Sequence, residues 1–403
     1  MINRMIATYK RLVEVTRYNH HRYLYETFRL SNRLTGLIGP RGTGKTTLLL
    51  QYIRDHIEDK DECIYVSADH IYFSGNLLLD FVLELYEDHG VRYFFIDEIH
   101  KYPNWNQELK NIYDAFPEVT TVFSGSSSMD LVKGSYDLSR RGVLFRMHGM
   151  SFREYLLFKG IADIPACSLD TILGDREALE NEVAGIKRIK GHFKDYLGAG
   201  YYPFIMEGTD DYHQKLLRVV EKIVFEDISN FYKLKTENLP NFKKIMAYVS
   251  TIPPGELNRN SVSKHIGLDN KTVSNYLSIL KETGLIELIR ENKSGSAMLK
   301  STEKIFLDNP DLYRCVAEEV GHPPGMGTLR EIFFLKMMQN AGHIPYYSKT
   351  GDYEVEGIVF EIGGKNKTRK QIKAAKSSSF VVKDDILYGS KRDIPLYLFG
   401  FLY

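Results

Sequence analysis

Cysteine is scarce. Cys63, Cys167 and Cys315 are the three among 403 residues, and none stands at CxxC spacing. That excludes a disulfide scaffold and a zinc ribbon and fits a reducing compartment. No run of 18 apolar residues occurs, so no membrane-spanning helix is expected. Residues 1–21 lack the apolar core of a signal peptide. The expectation is a cytoplasmic protein without a membrane partner. An excess of one charge is also missing, with 53 basic against 52 acidic residues. Any nucleic-acid surface must therefore come from local clustering. Metal-ligand spacing is absent too: His20 and His21 adjoin, but no second His, Cys or acid cluster supports them, and they read as loop residues.

What is present suffices for real cores, with 43% hydrophobic and 26% charged residues. The length predicts about two to four domains. Residues 34–150 alternate short β-rich runs (Leu34–Ile38, Cys63–Ser67, Val91–Ile96, Val119–Ser124) with helical stretches (Thr46–Ile57, Leu77–Tyr86, Trp105–Ala115). Strand–helix alternation predicts βαβ units and a buried parallel sheet. Residues 151–240 turn helical and charged. Residues 241–308 read as short helices followed by β-like runs, and 309–403 return to mixed α and β.

Gly39-Pro40-Arg41-Gly42-Thr43-Gly44-Lys45-Thr46 fits GxxxxGK[ST], preceded by an apolar strand and followed by an amphipathic helix with Leu49, Leu50, Ile53 and Ile57, and Thr47 joins the loop as a nucleotide-binding candidate. Glycines let the backbone wrap closely, so that successive N–H groups point at phosphate. Lys45 would reach the β- and γ-phosphates, and the Thr46 hydroxyl would hold Mg²⁺. The apolar run Tyr93–Ile96 ends in Asp97-Glu98. Acids there emerge at the carboxyl edge of the sheet, where ligands bind in open α/β folds. Asp97 would hold Mg²⁺ through water, and Glu98 would orient or deprotonate the attacking water. A hydroxyl at the tip of the run Val119–Phe123, Ser124 or Ser126, could sense the γ-phosphate. Trp105, the sole tryptophan, reads as a core or interface anchor.

GPRGTGKTT, FFIDEIHKYPNWNQELKNIYD, FSGSSS and LSRRGVLFRMHGMSFREYL together resemble the bacterial and archaeal AAA-type ATPases with a C-terminal domain of unknown function. The resemblance implies a P-loop NTPase core over 1–150, ATP rather than GTP, and a helical lid or linker over 151–240. A stretch before a "PLSFxEYL"-like segment carries a phosphate-facing arginine in that family, and Arg141 is the matching position. Arg140 stands where the family has glycine, and Gly149 or Met150 where it has proline. An arginine there stabilises charge on the transferred phosphoryl group.

Residues 241–308 read as a winged helix-turn-helix, with Ser261 capping one helix, Gly267 at the turn and Asp269 or Asn270 capping the next. Val273, Tyr276, Leu277 and Leu280 share one face, leaving Lys271, Thr272, Ser274 and Asn275 outward for phosphate and base edges. Residues 241–300 hold nine basic and five acidic residues, a net of +4. In 309–403, Glu356-Gly357 is a two-residue hairpin turn. It pairs Val355 with Ile358 and places Asp352 opposite Glu361, with Cβ atoms about 5 Å apart. Such a pair needs a metal or cation between its members. With Glu331 and a basic helix at Thr368–Lys376, this resembles a restriction-endonuclease-like core. Gly363 occupies the usual lysine position, and Lys365, two residues further, is the expected substitute. Residues 365–392, with nine basic and two acidic residues, form a second possible DNA surface.

The function expected is a Mg²⁺-dependent ATPase that rearranges a winged-helix and nuclease-like arm in contact with DNA. It would act alone, as a homo-oligomer or with a protein partner. The alternatives are a slow nucleotide-gated regulator and an ATP-controlled nuclease with a second metal at Asp352 and Glu361.

Overall fold

Five runs, four of them buried or half-buried, form one parallel sheet: β1 (Leu34–Ile38), β2 (Cys63–Ser67), β3 (Tyr93–Asp97), β4 (Thr120–Gly125) and β5 (Gly142–Arg146). Their order is β2-β3-β4-β1-β5, and every pairing is parallel. All five residues of β1 are buried, as a strand covered on both faces requires. The computed structural model describes residues 1–16, 20–126, 138, 140–300, 302–374 and 378–403. The chain divides into two units, Met1–Gly149 and Met150–Tyr403.

In the first unit, α1 (Ile2–Val15), α2 (Lys45–His56), α3 (Leu78–His89) and α4 (Trp105–Ala115) cover the sheet. Leu37, Leu49, Ile53, Phe94, Phe95, Ile96, Leu109 and Val122 fill the core between them. Gly90 stops α3 at φ +72°, a conformation that favours glycine. The strand order puts β4 between the strand leading into the glycine loop and the strand ending in Asp97. The carboxyl ends of these three strands thus share one edge. Strand β5 carries no strand signal in the sequence reading. It lies at the sheet edge with Val143 and Leu144 exposed, so no strict apolar run marks it.

The second unit begins with a capping box: Ser151 accepts from the Glu154 amide, and the Glu154 carboxylate accepts from the Ser151 amide. Short helices continue to Tyr232. Helices Pro240–Thr251, Arg259–Ile266 and Asn270–Glu282 precede an antiparallel pair, β6 (Ile286–Arg290) and β7 (Glu303–Leu307). Gly267 turns the chain at φ +77°, and Asp269 accepts from the amides of Lys271 and Thr272. Asn258, not Ser261, caps Arg259–Ile266: its carboxamide oxygen accepts from the Ser261 amide at 3.1 Å. Ser261 is instead a helical residue whose hydroxyl meets the Tyr248 hydroxyl at 2.8 Å.

A second sheet follows the order β12-β11-β10-β9-β8. It comprises β8 (Tyr346–Tyr347), β9 (Tyr353–Val355), β10 (Ile358–Gly363), β11 (Ser379–Lys383) and β12 (Asp393–Pro395). Strands β8, β9 and β10 are antiparallel neighbours, and β10, β11 and β12 are parallel. Glu356 and Gly357 make the hairpin turn at φ +51° and +78°. The helix Met326–Asn340 packs Phe334 against the rings of Tyr353, Phe360 and Phe399 at 5.7, 5.1 and 4.8 Å. Where a basic helix over Thr368–Lys376 is expected, the described residues form only a 3₁₀ turn, Gln371–Ala374, and 375–377 lie outside them. Among the described residues no helix is long and apolar enough to cross a membrane.

Candidate functional site

The glycine loop closes between β1 and α2. Gly42 and Gly44 take φ +81° and +93°, which a side chain would strain. Lys45 opens α2, is buried, and donates from Nζ to the carbonyls of Gly39 and Pro40, both at 2.9 Å. Thr46, one residue on, turns its hydroxyl toward β3. Its Oγ1 donates to Asp97 Oδ2 at 2.5 Å. Thr47 stands half-buried in the same first turn.

Asp97 is the hub of the sheet edge and is buried. Oδ2 also accepts from the Tyr65 hydroxyl of β2 at 2.7 Å, while Oδ1 accepts from the Glu98 amide at 3.0 Å and from the Ser124 hydroxyl of β4. All four donors are neutral. Burial and the Asp97 carboxylate drive the Tyr65 phenol well above its usual range, so it stays a donor. A hydroxyl and a carboxylate oxygen converging at a helix N-terminus are hard oxygen ligands. They suit Mg²⁺, which takes one or two protein oxygens and fills the rest with water and phosphate.

Glu98 sits at φ +51°, a conformation uncommon outside glycine, which swings its side chain out of the strand direction. Its Oε2 lies 3.3 Å from His100 Nε2 and 3.9 Å from Arg41 Nη1. Arg41 Nη2 lies 3.4 Å from the same His100 nitrogen. The Ser126 amide points at His100 Nδ1 at 3.4 Å. No motif in the sequence marks His100, though it stands two residues past Glu98. Nor does any motif mark Tyr65 or Arg22. Tyr65 reads as one more apolar strand residue, and Arg22 carries no local signal at all. Ser124 is fully buried at the hub and Ser126 borders His100, whereas Ser127 and Ser128 lie outside the described residues.

Arg141 requires a correction. It immediately precedes β5, which runs parallel to β1 with Gly142 beside Leu34. It therefore stands at the amino edge of the sheet, about five residues or ~17 Å of strand from the glycine loop. There Nε and Nη2 pair with the Asp114 carboxylate at 3.1 and 3.2 Å. Within one chain it does not face the loop. Ser139, in the same block, lies outside the described residues. Trp105 is buried beside Phe123, ring centroids 5.9 Å apart, in the core. His21 stacks on Tyr25 at 3.9 Å and lies 3.4 Å from Asp55.

The acids of the second unit form a different arrangement. The β9–β10 ladder ends at Tyr353–Phe360, so the expected cross-strand pair of Asp352 and Glu361 does not form. Asp352 Oδ2 instead accepts from the Ile362 amide at 2.7 Å. Lys304 Nζ lies 3.2 Å from Glu331 and 3.7 Å from Asp352, and Lys367 Nζ lies 2.5 Å from Glu361. Two ammonium groups thus stand among three acids, in place of the bare acidic pair expected to hold a metal. Lys365 points elsewhere, 4.0 Å from Asp385. Lys367 folds back over Gly363 so closely that a Cβ there would meet its chain at 2.6 Å. Burial, with Asp352 adding to it, pushes Glu331 up to about 7. Burial likewise raises Glu361. Among the described residues no group of three or more His, Cys, Asp and Glu side chains makes a metal cage.

Residues 31–156 match the family described as an AAA domain, and residues 190–319 match a domain of unknown function, DUF8612. No curated protein matches the chain. Among solved structures the chain is similar to AMPPCP-bound DnaA from Aquifex aeolicus, at 15% identity over 64% of this chain and 85% of that one, TM-score 0.25. It is similar to the Hsp104–ADP complex of S. cerevisiae at 15% identity over 70% and 38%, TM-score 0.29. With C. elegans PCH-2 the identity is 15% over 68% of each chain, TM-score 0.25. At these TM-scores the likenesses carry no argument. The AAA domain match spans all five parallel strands and the glycine loop.

Proposed function

We propose that the protein binds ATP with Mg²⁺ in the loop Gly39–Thr46 and hydrolyses it. The observation that carries this reading is the meeting of Thr46 Oγ1 and Asp97 Oδ2 at 2.5 Å, beside the glycine loop. Loop amides and the α2 N-terminus would hold phosphate oxygens. Lys45 would leave the carbonyls of Gly39 and Pro40 for the β- and γ-phosphates. Mg²⁺, when bound between Thr46 and Asp97, would neutralise charge building on the phosphates. Glu98 would accept the proton of the attacking water, with His100 and Arg41 fixing its carboxylate. Ser124 would hold Asp97 in place. Arg141 enters this reading only from a neighbouring copy in an oligomer.

For the second unit we read 241–308 as a winged helix and 309–403 as a restriction-endonuclease-like core, with DNA contact through 241–300 and 365–392. ATP turnover would then rearrange this arm. The paired lysines at Glu331, Asp352 and Glu361 favour charge compensation over metal-dependent cleavage. Plasmid and single-stranded DNA with Mn²⁺ test this, and nicking lost in Asp352→Ala would contradict it.

A slow nucleotide-gated regulator is the second reading, favoured by a Glu98 carboxylate already engaged by His100 and Arg41. Phosphate release under saturating MgATP separates the two. The ATPase reading expects Glu98→Gln to bind nucleotide normally and to lose about 10²–10⁴-fold in turnover. Unchanged turnover in Glu98→Gln would favour the regulator.

A further inference from the structure

Arg22 belongs to no motif, yet it is buried and ties three backbone carbonyls together. Its Nη1 donates to the Thr43 carbonyl, and its Nη2 to those of His148 and Gly149 at 2.9 and 2.8 Å. Thr43 lies between the two glycines of positive φ. A trans peptide plane fixes its C=O and the following N–H in opposite directions. Holding the Thr43 carbonyl at Arg22 therefore turns the Gly44 N–H away from Arg22, to the phosphate side of the loop.

The other two acceptors end the first unit, one residue before the chain enters the second at Met150. This exit segment is also fastened at the start of the loop. The Met147 amide donates to the Ile38 carbonyl at 2.7 Å, and a Cβ on Gly39 would come within 2.2 Å of the Met147 carbonyl. Tyr23 adds a tie, donating to the Arg146 carbonyl at 3.0 Å and accepting from the His148 amide at 3.2 Å. Residues 146–149 thus abut the start of the loop at Ile38 and Gly39, and are tied to Thr43 through Arg22. A lysine has no planar fork to reach all three carbonyls, and an arginine has.

We infer that Arg22 is a positioning residue that presets the Gly44 amide for phosphate and links loop occupancy to the exit segment Arg146–Gly149. The inference rests on the reading that the loop takes a triphosphate. When Lys45 leaves the Gly39 and Pro40 carbonyls for phosphate, the loop start that abuts Met147 is released, and Arg22 carries the change at Thr43 to Gly149.

Hydrogen–deuterium exchange across 144–158 of the full chain tests it, with and without Mg²⁺ and a non-hydrolysable ATP analogue. Wild type is compared with Arg22→Lys, Arg22→Gln and Tyr23→Phe, alongside analogue affinity, kcat and KM. In wild type the analogue should change exchange at the Met147 and His148 amides at least threefold. Arg22→Gln should lose that response and raise KM about tenfold or more, with a smaller change in kcat. Arg22→Lys should keep part of the response, and Tyr23→Phe should weaken it at near-normal affinity, which serves if Arg22→Gln fails to fold. A wild-type response in Arg22→Gln, or in Tyr23→Phe should that variant alone fold, overturns the inference. So does analogue uptake by wild type with no change at 146–149. Absence of uptake by wild type overturns the triphosphate reading instead.

Discussion

Asp97 and Glu331 are both largely buried carboxylates, and their neighbours are of opposite kinds. Around Asp97 stand three hydroxyls and an amide, all neutral donors. Around Glu331 stand Lys304 and a second acid, Asp352, with Lys367 at Glu361 nearby. Neutral donors orient a carboxylate without cancelling its charge, so it remains able to attract a cation that arrives with a ligand. Ammonium partners cancel it in place, and their removal leaves an uncompensated charge in a poor solvent. On the reading proposed above, the first cluster suits an exchangeable cation, and the second balances its charge internally.

The sharpest way to break this comparison is to delete the internal cation. At a pH above about 8, where Glu331 is ionised, Lys304→Met should cost about 3–5 kcal/mol of unfolding free energy, measured by denaturant titration of the full chain. Adding Glu331→Gln to it should recover most of the loss. A single substitution that leaves the midpoint unchanged would mean that Lys304 compensates nothing.

Titration sharpens it next. Glu331 is raised from 4.5 to about 7 in the folded protein. A carboxyl with a raised folded pKa stabilises the fold fully below about 4.5 and loses that contribution as pH climbs through about 7. Unfolding free energy should therefore decline between these limits, and Glu331→Gln should flatten the decline. An identical slope in the variant would assign the pH dependence elsewhere.

A smaller effect is expected at Asp97. Tyr65→Phe removes one of its neutral donors and should cost about 1 kcal/mol, or roughly fivefold in Mg²⁺-dependent nucleotide affinity. Tighter binding in Tyr65→Phe would show that the phenol competes with the cation rather than orienting its ligand.

The glycine loop is legible in the sequence because its chemistry is local. Gly42 and Gly44 supply the backbone angles, and Lys45 and Thr46 follow at fixed positions of one helix turn. Asp97 and Glu98 are legible as the end of an apolar run. The partners that set their geometry are not, because Tyr65, Ser124 and His100 are brought there by strand order and by one positive φ at Glu98. Arg141 shows the reverse case: a motif position suggests a role, and the parallel register with β1 sends it, within one chain, to the opposite edge. At the hairpin, the turn residues dictate Val355 against Ile358, while the ladder stops one pair before Asp352 and Glu361. Lys304 and Lys367 come from separate strand and loop segments, so no spacing rule could pair them with those acids. Asn258 replaces Ser261 as a cap because a three-residue shift of a helix start leaves both readings locally sound.

Calorimetric titration of the full chain with MgATP, repeated with Lys45→Ala, tests the central claim most directly. The account predicts one saturable site in wild type, weakened by EDTA, and about 100-fold or greater loss in Lys45→Ala, equal to at least about 2.7 kcal/mol. No uptake by wild type, or equal uptake by both proteins, would contradict it.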